Sequence, residues 1–250
     1  MGLMHYFLKN LSGVKVLLYH HVFPGMPDEM TVSPDLLEKH FQYLKANGYS
    51  TIPVSSVVKA INNEEAFSGK TIVLTFDNGY KNQIEFVEPL LKKYGFCACI
   101  FLIANKTIEA VKATVNEKYY YLEAESVLNA DPEFFEFGLH GYDNQSYEDL
   151  TVEEIRNDIC SSQEVFAEYN INIIPVIAYP FGKRPKNKID LDKMKNVFRE
   201  MGICAAFRIG NRAIQMPVLD QFELPRININ GWDTLKNFKI KLRKGKLKPF

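Results

Sequence analysis

The sequence is short of most of what would mark it as anything other than a folded, soluble domain. It has only four cysteines in 250 residues, too few for a disulfide scaffold, and Cys97 and Cys99 stand two apart in an apolar run, where strand geometry points them the same way without bridging them. The simplest compartment for such thiols is reducing, so a cytoplasmic location is expected. Apolar runs such as 97–104 stop far short of the roughly 18 residues a membrane-crossing helix needs, so no transmembrane segment is expected. The first 15 residues are interrupted by Lys9 and show no apolar stretch leading to a small-residue cleavage site, so no signal peptide is visible. Low-complexity linkers and repeats of 20 to 50 residues are also missing, which favours one domain.

Net charge is missing too, with 30 basic against 30 acidic residues. The balance hides an asymmetry. Residues 236–250 hold seven of the basic residues (Lys236, Lys239, Lys241, Arg243, Lys244, Lys246 and Lys248) and no acid, which leaves 23 basic residues against all 30 acids elsewhere. A nucleic-acid binder needs basic residues across a folded face rather than at one end, so nucleic acid is not expected as a partner. The terminal stretch reads as a basic tail after a domain at 1–235. It is able to touch an anionic surface, or to be the solvated face of a helix with a frayed end.

What is present is a hydrophobic content of 46%, arranged as short apolar runs alternating with amphipathic segments. The runs start at Val14, Thr71, Cys97, Phe134, Ile173, Ile203 and Glu223, and runs that are apolar throughout predict strands covered on both faces. The segments between them carry helix punctuation. Ser33-Pro34-Asp35 supplies an N-cap, a first-turn proline and an acid, with Gly48 as the stop, and Thr151 with Glu154 makes a capping box. The alternation predicts an α/β protein of parallel strands with helices outside, closed or nearly closed into a (β/α) barrel.

In such folds chemistry sits where strands end. Four predicted strand ends carry polar or ring-bearing residues: Tyr19-His20-His21, Thr75-Phe76-Asp77-Asn78-Gly79-Tyr80, Gly138-Leu139-His140-Gly141-Tyr142-Asp143-Asn144, and Ala178-Tyr179-Pro180-Phe181-Gly182. Singly, each has a plain reading: Asp77 caps a helix, His140 is a satisfied loop histidine, and Pro180-Phe181-Gly182 is a turn. Together, at successive strand ends, they point to a site. Tyr80, Tyr142, Tyr147, Tyr179, Phe181 and Trp232 are suited either to stacking on a sugar ring or to packing in the core or rim. Residues 105–131 look like an insertion over the barrel mouth that sets substrate choice.

The motifs VLLYHHV, VSPDLLEKHFQYLKANGYSTI, LTFDNGYKN, PLLKKYGFCACIFL, EFGLHGYDN with LTVEEIRNDI, AYPFGK and LPRININGWDTLKNF occur in this order across most of the chain. In them the sequence resembles the polysaccharide deacetylases with the NodB-homology domain, carbohydrate esterase family four. The resemblance implies a distorted (β/α) barrel and hydrolysis of the N-acetyl group of an amino sugar in a saccharide or sugar conjugate, a non-peptide carbon-nitrogen bond. It also implies zinc or another divalent metal held by one Asp and two His, with a second Asp as base and a backbone N–H for the oxyanion.

Carried over by position, the resemblance assigns Asp77 as base and places Asn78, His140 and Asn144 at the metal positions, so two of three ligands are replaced by neutral amides. It gives the oxyanion role to the Phe181 backbone N–H. Ala178 stands where the family often has an Arg that pairs the base, and Arg226 at the end of a late strand is the residue able to take over. No His follows His140, so the family's late His is missing; His5, His20, His21 and His40 are the others. His20, His21, Tyr80, Tyr142, Tyr179 and Pro180 are the expected saccharide contacts. From the residues alone no cofactor is expected, and metal is the family's alternative. Three readings follow: a deacetylase with rearranged chemistry, a metal-free carbohydrate-binding or partner-binding barrel without catalysis, or another reaction on the same barrel.

Overall fold

The structure is a computed structural model and describes residues 13–62, 70–108 and 117–247. Ten strands are present among them: β1 (Lys15–Tyr19), β2 (His21–Val22), β3 (Thr31–Val32), β4 (Ser50–Thr51), β5 (Thr71–Asn78), β6 (Ala98–Leu102), β7 (Phe135–Leu139), β8 (Val176–Ala178), β9 (Ala205–Ile209) and β10 (Leu224–Asn228). Seven of these close a parallel barrel in the order β1-β5-β6-β7-β8-β9-β10, because β1 pairs with both β5 and β10. β4 adds to the start of β5, and β2 pairs with β3 beside the barrel. The expected distorted (β/α) barrel is thus the observed fold, and each of the seven predicted strands contributes one of its staves.

Alternation along the strands separates two cores. One side of each stave packs outward against the helices, as Leu17, Tyr19, Leu74, Phe76, Ile100 and Leu102 do. The other fills the interior with Val16, Val73, Cys99, Phe101, Val176, Ala178, Phe207 and Leu224. Every residue of β5 is buried, which is why its sequence shows no polar alternation.

The helices follow their punctuation. α1 (Pro34–Ala46) is capped by the Ser33 side chain on Leu36 N–H and ends at Asn47. α2 (Val54–Ile61) adds Val54 and Val57 to the interior cluster. α3 (Asn82–Glu85) and α4 (Glu88–Tyr94) follow β5, and α5 (Ala104–Ile108) and α6 (Ala124–Leu128) lie between β6 and β7. α7 (Val152–Glu168) has the full Thr151–Glu154 capping box and buries Ile155, Ile159, Ser162 and Phe166 on one face. α8 (Lys188–Glu200) and α9 (Leu235–Lys244) complete the set among the described residues.

The C-terminal stretch differs from a tail. α9 starts at Leu235 and packs on α1, with Phe238 stacked on His40 at 3.9 Å and Leu242 buried. A boundary between 235 and 236 therefore cuts a helix whose apolar face belongs to the core, while its lysines mostly form the solvated face. Lys241 is the exception, buried against Asp233. Lys248, His5 and most of the first 15 residues lie outside the described residues. None of the described helices is long and apolar enough to cross a membrane.

Candidate functional site

The site sits at the C-terminal ends of the staves. On β5 the inward positions run Val73, Thr75, Asp77, and on β10 they run Leu224, Arg226. Phe101 of β6 is opposite Asp77 in register, and its ring forms a floor. The Arg226 guanidinium lies 5.4 Å from the centre of that ring. Gly138 makes room for this floor, since a Cβ there would meet the Phe101 ring at 2.6 Å.

Above the floor, Arg226 donates from Nη1 and Nη2 to the two carboxylate oxygens of Asp77, both at 2.6 Å, and more weakly to Thr75 Oγ1 at 3.3 Å. Asp77 and Arg226 are both buried. Burial pushes the Asp77 carboxyl up, but the Arg226 charge and its hydrogen bonds outweigh this and leave it below the ordinary carboxylate range. The carboxylate is therefore ionised at neutral pH.

His140 follows β7 and faces Asp77, with Nε2 at 4.0 Å from Oδ2. Its Nδ1 lies 2.9 Å from the Ala178 carbonyl. A carbonyl only accepts, so Nδ1 carries the proton and Nε2 presents a lone pair. Burial lowers the pKa of this ring, only partly offset by the Asp77 charge, which keeps it neutral. His20, half-buried, lies on the same cleft and is brought down to about 4 mainly by burial, with the Asp77 charge opposing. The cleft has a volume of about 250 Å³ and is also lined by Asn78, Asn144, Phe181, Gly182, Glu29, Met30, Ile209 and Asn228.

Asn78 and Asn144 both have positive φ, 80° and 56°. Asn144 Oδ1 is buried without a hydrogen-bond partner among the described residues. Phe181 also has a left-handed backbone, φ 57°. Its turn is closed by the Gly182 and Lys183 N–H groups, donating to Tyr179 and Pro180 carbonyls, so the Phe181 N–H is not used in the turn.

The structure thus brings Asp77, Asn78, His140, Asn144, Phe181, Arg226 and His20 together. It takes the other expected saccharide contacts elsewhere. His21 is buried and stacks on Tyr80 at 3.6 Å, with Asn82 Nδ2 at 3.3 Å from its Nδ1. Tyr179 is fully buried and donates its hydroxyl to the Phe222 carbonyl, because its side chain alternates to the outer core. Pro180 is buried, and Tyr142 packs on the outer core. Tyr80, Tyr142, Tyr179 and Pro180 are not among the residues lining the cleft.

The described part of 105–131 docks on the loop after β5, through Lys81 N–H to Tyr120 O and Leu122 N–H to Gly79 O, and supplies no cleft residue. Residues 109–116 of it lie outside the described residues. Glu29, Met30, Ile209 and Asn228 were not legible as site residues. Glu29 and Met30 sit on a loop without a motif, and the other two read as ordinary strand residues.

A divalent metal of the kind the resemblance implies does not fit this donor set. The three positions offer one imidazole nitrogen and two neutral amides, and the Asp77 carboxylate is already charge-paired with Arg226, so they lack the carboxylate and second imidazole of the expected ligand set. Among the described residues no three His, Cys, Asp or Glu side chains are grouped to hold a metal ion.

A parallel barrel with an ionised carboxylate and a neutral imidazole at its mouth defines the class, and comparison with known proteins gives the family. A profile described as Polysaccharide deacetylase matches residues 64–202. The chain belongs to the polysaccharide deacetylase family. It is 24% identical over 188 residues to YxkH of Bacillus subtilis (strain 168), provisionally described as a polysaccharide deacetylase, with 75% of this chain and 63% of that protein covered. Over 89 residues it is 28% identical to the poly-beta-1,6-N-acetyl-D-glucosamine N-deacetylase of Escherichia coli (strain K12), covering 35% of this chain and 13% of that one. The chain therefore spans less than two thirds of the length of these curated relatives. In fold it is similar to the Streptococcus pyogenes deacetylase PplD in complex with acetate, with a TM-score of 0.78 at 20% identity, covering 93% of this chain and 99% of that one.

Proposed function

We propose that the barrel mouth takes an N-acetylated amino sugar of a saccharide and hydrolyses its acetamide, with Asp77 and His140 as the acid-base pair. The observation that carries this is the facing of two unprotonated acceptors, Asp77 Oδ2 and His140 Nε2, across 4.0 Å at the cleft floor. That gap suits a water donating to both. In the reaction the water oxygen bonds to the acetyl carbon while one of its protons passes to the pair. The Phe181 N–H is the group available to the oxyanion. The carbon-nitrogen bond then breaks, the pair returns the proton to the departing amine, and acetate is left. Arg226 holds the carboxylate in place throughout.

A poly-N-acetylglucosamine chain, the polymer in the name of the Escherichia coli relative, is the first substrate to test. Acetate release from β-1,6- and β-1,4-linked N-acetylglucosamine oligomers is expected to survive chelator and to be lost in Asp77→Asn. Release abolished by chelator overturns the metal-free part of this reading. A second reading, binding without turnover, rests on Asn78 and Asn144 alone; saccharide binding with no acetate release, unchanged by Asp77→Asn, would establish it.

A further inference from the structure

α3 is four residues long, yet its first two side chains, Asn82 and Gln83, are polar and buried. A buried amide costs free energy unless its donors and acceptor are used, and both of these are used on backbone groups around the barrel mouth. Asn82 Oδ1 accepts from Val22 N–H at 3.0 Å, and its Nδ2 donates to the Lys118 carbonyl at 2.8 Å. Gln83 serves the site itself. Its Nε2 donates to the His20 carbonyl at 2.9 Å and to the Asp77 carbonyl at 2.6 Å, and its Oε1 accepts from Tyr80 N–H at 3.1 Å.

These three bonds lie where the sheet stops. The β1–β5 ladder has its last pair at Tyr19 and Phe76. His20 and Asp77, the next residue on each strand, both line the cleft, and the Gln83 amide joins their carbonyls in place of a further rung. The same amide brackets the turn after Asp77. It donates to the carbonyl before the turn and accepts from the Tyr80 N–H behind it, so that Asn78 and Gly79, with φ of 80° and 74°, lie between its two ends. The Asp77 carbonyl and the Asn78 nitrogen share one peptide plane, so the direction of that carbonyl and the φ of Asn78 turn together. A non-glycine residue keeps a positive φ where its surroundings hold it there, and the Gln83 amide is such a hold. A flip of this plane would also turn the backbone from which the Asp77 carboxylate projects.

Resting on the reading of the cleft as an acetamide-hydrolysing site, we propose that Gln83 is a positioning residue for that reaction: one buried side-chain amide sets the backbone of His20 and Asp77, and thereby how the Asp77 carboxylate faces the His140 ring. It touches no reacting atom and acts through the backbone alone.

The test uses the full chain. In the wild type the two Gln83 side-chain N–H protons and the Tyr80 amide proton are expected to exchange slowly with solvent by NMR; fast exchange of the side-chain pair overturns the clamp without any variant having to fold. Gln83→Glu keeps the shape and the acceptor for Tyr80 N–H but, as a carboxylate, donates to neither carbonyl. Gln83→Met keeps the length and loses all three bonds. Each variant is expected to lower kcat for acetate release from β-1,4- and β-1,6-linked N-acetylglucosamine oligomers by about ten- to a hundredfold, with KM within about twofold, and to move the ring nitrogen signals of His20 and His140. Thr151→Ala weakens a helix cap that does not line the cleft, and it separates positioning from plain loss of stability by leaving kcat and both ring signals in place. Wild-type kcat and unmoved ring signals in a folded Gln83 variant overturn the positioning role and leave the deacetylase reading standing. No acetate release by the wild type overturns the deacetylase reading; ring signals that move in the variants then still support the clamp, and unmoved signals overturn it as well.

Discussion

Arg226 and Asp77 form a two-pronged pair, each terminal guanidinium nitrogen 2.6 Å from its own carboxylate oxygen, with both side chains buried and the two residues 149 positions apart in the chain. Removing one member leaves the other charged, buried and without its partner. Arg226→Met is expected to lower stability by about 3–5 kcal/mol in urea unfolding, and Arg226→Met with Asp77→Asn to recover a good part of it. A single variant as stable as the wild type would show that the pair carries no such weight.

The metal prediction rests on Asn78 and Asn144. Protein purified without chelator is expected to hold far less than one zinc per chain by elemental analysis. Asn78→Asp with Asn144→His supplies a carboxylate and a second imidazole, and Asp and His tolerate left-handed backbone better than most residues, so occupancy should rise. Stoichiometric zinc in the unaltered protein would refute the misfit described for this donor set.

His40 sets a pH dependence. It is fully buried between Tyr19 and Phe238, its Nε2 has no partner among the described residues, and burial brings its pKa down from 6.5 to about 3. Between those values the unfolded chain binds the proton and the folded one does not, so stability is lost as pH falls through the window, by up to about 1.4 kcal/mol per pH unit from this group. His40→Phe keeps a ring on Phe238 and should flatten the fall of Tm between pH 6.5 and 4.5. An unchanged slope would remove His40 from the account.

The capping box is the simplest local test. Thr151 Oγ1 accepts from Glu154 N–H, and the Glu154 side chain accepts from Thr151 N–H at 2.7 Å. Thr151→Ala should cost about 1 kcal/mol, read as a shift of the urea midpoint without a change of slope.

The staves were legible because strands buried on both faces carry unbroken apolar runs, as all of β6 and residues 72–74 of β5 do. The capped ends of α1 and α7 were legible because Ser33 and Thr151 act on residues three positions away. The centre of the site was legible as well, since Asp77, His140 and the Phe181 turn sit at strand ends. Tyr179 and His21 were misplaced for one reason: which face a side chain takes depends on strand alternation relative to the barrel axis, and a strand apolar on both faces gives no clue to it. Glu29 and Met30 reach the cleft because residues 28–31 are held by distant partners, Gly231 N–H on the Asp28 carbonyl, Lys118 on the Asp28 carboxylate and His21 N–H on the Met30 carbonyl, contacts that leave no local pattern. The charge run at the C-terminus was readable as a solvated helix face, but among so many lysines nothing marked that α9 also buries Phe238, Leu242 and Lys241.

Ring closure carries a consequence for how the chain comes together. β1 has neighbours on both sides only once β10 arrives, so during synthesis one flank of the first stave waits for nearly the whole polypeptide while the staves from β5 onward assemble. The strand that seals the ring is also the one that delivers Arg226. Asp77 therefore enters the dry interior as an ion at the same step that shuts the ring, and a chain halted before that step exposes two unpaired edges and an unneutralised acid. Completion of the ring and completion of the site thus depend on the same strand.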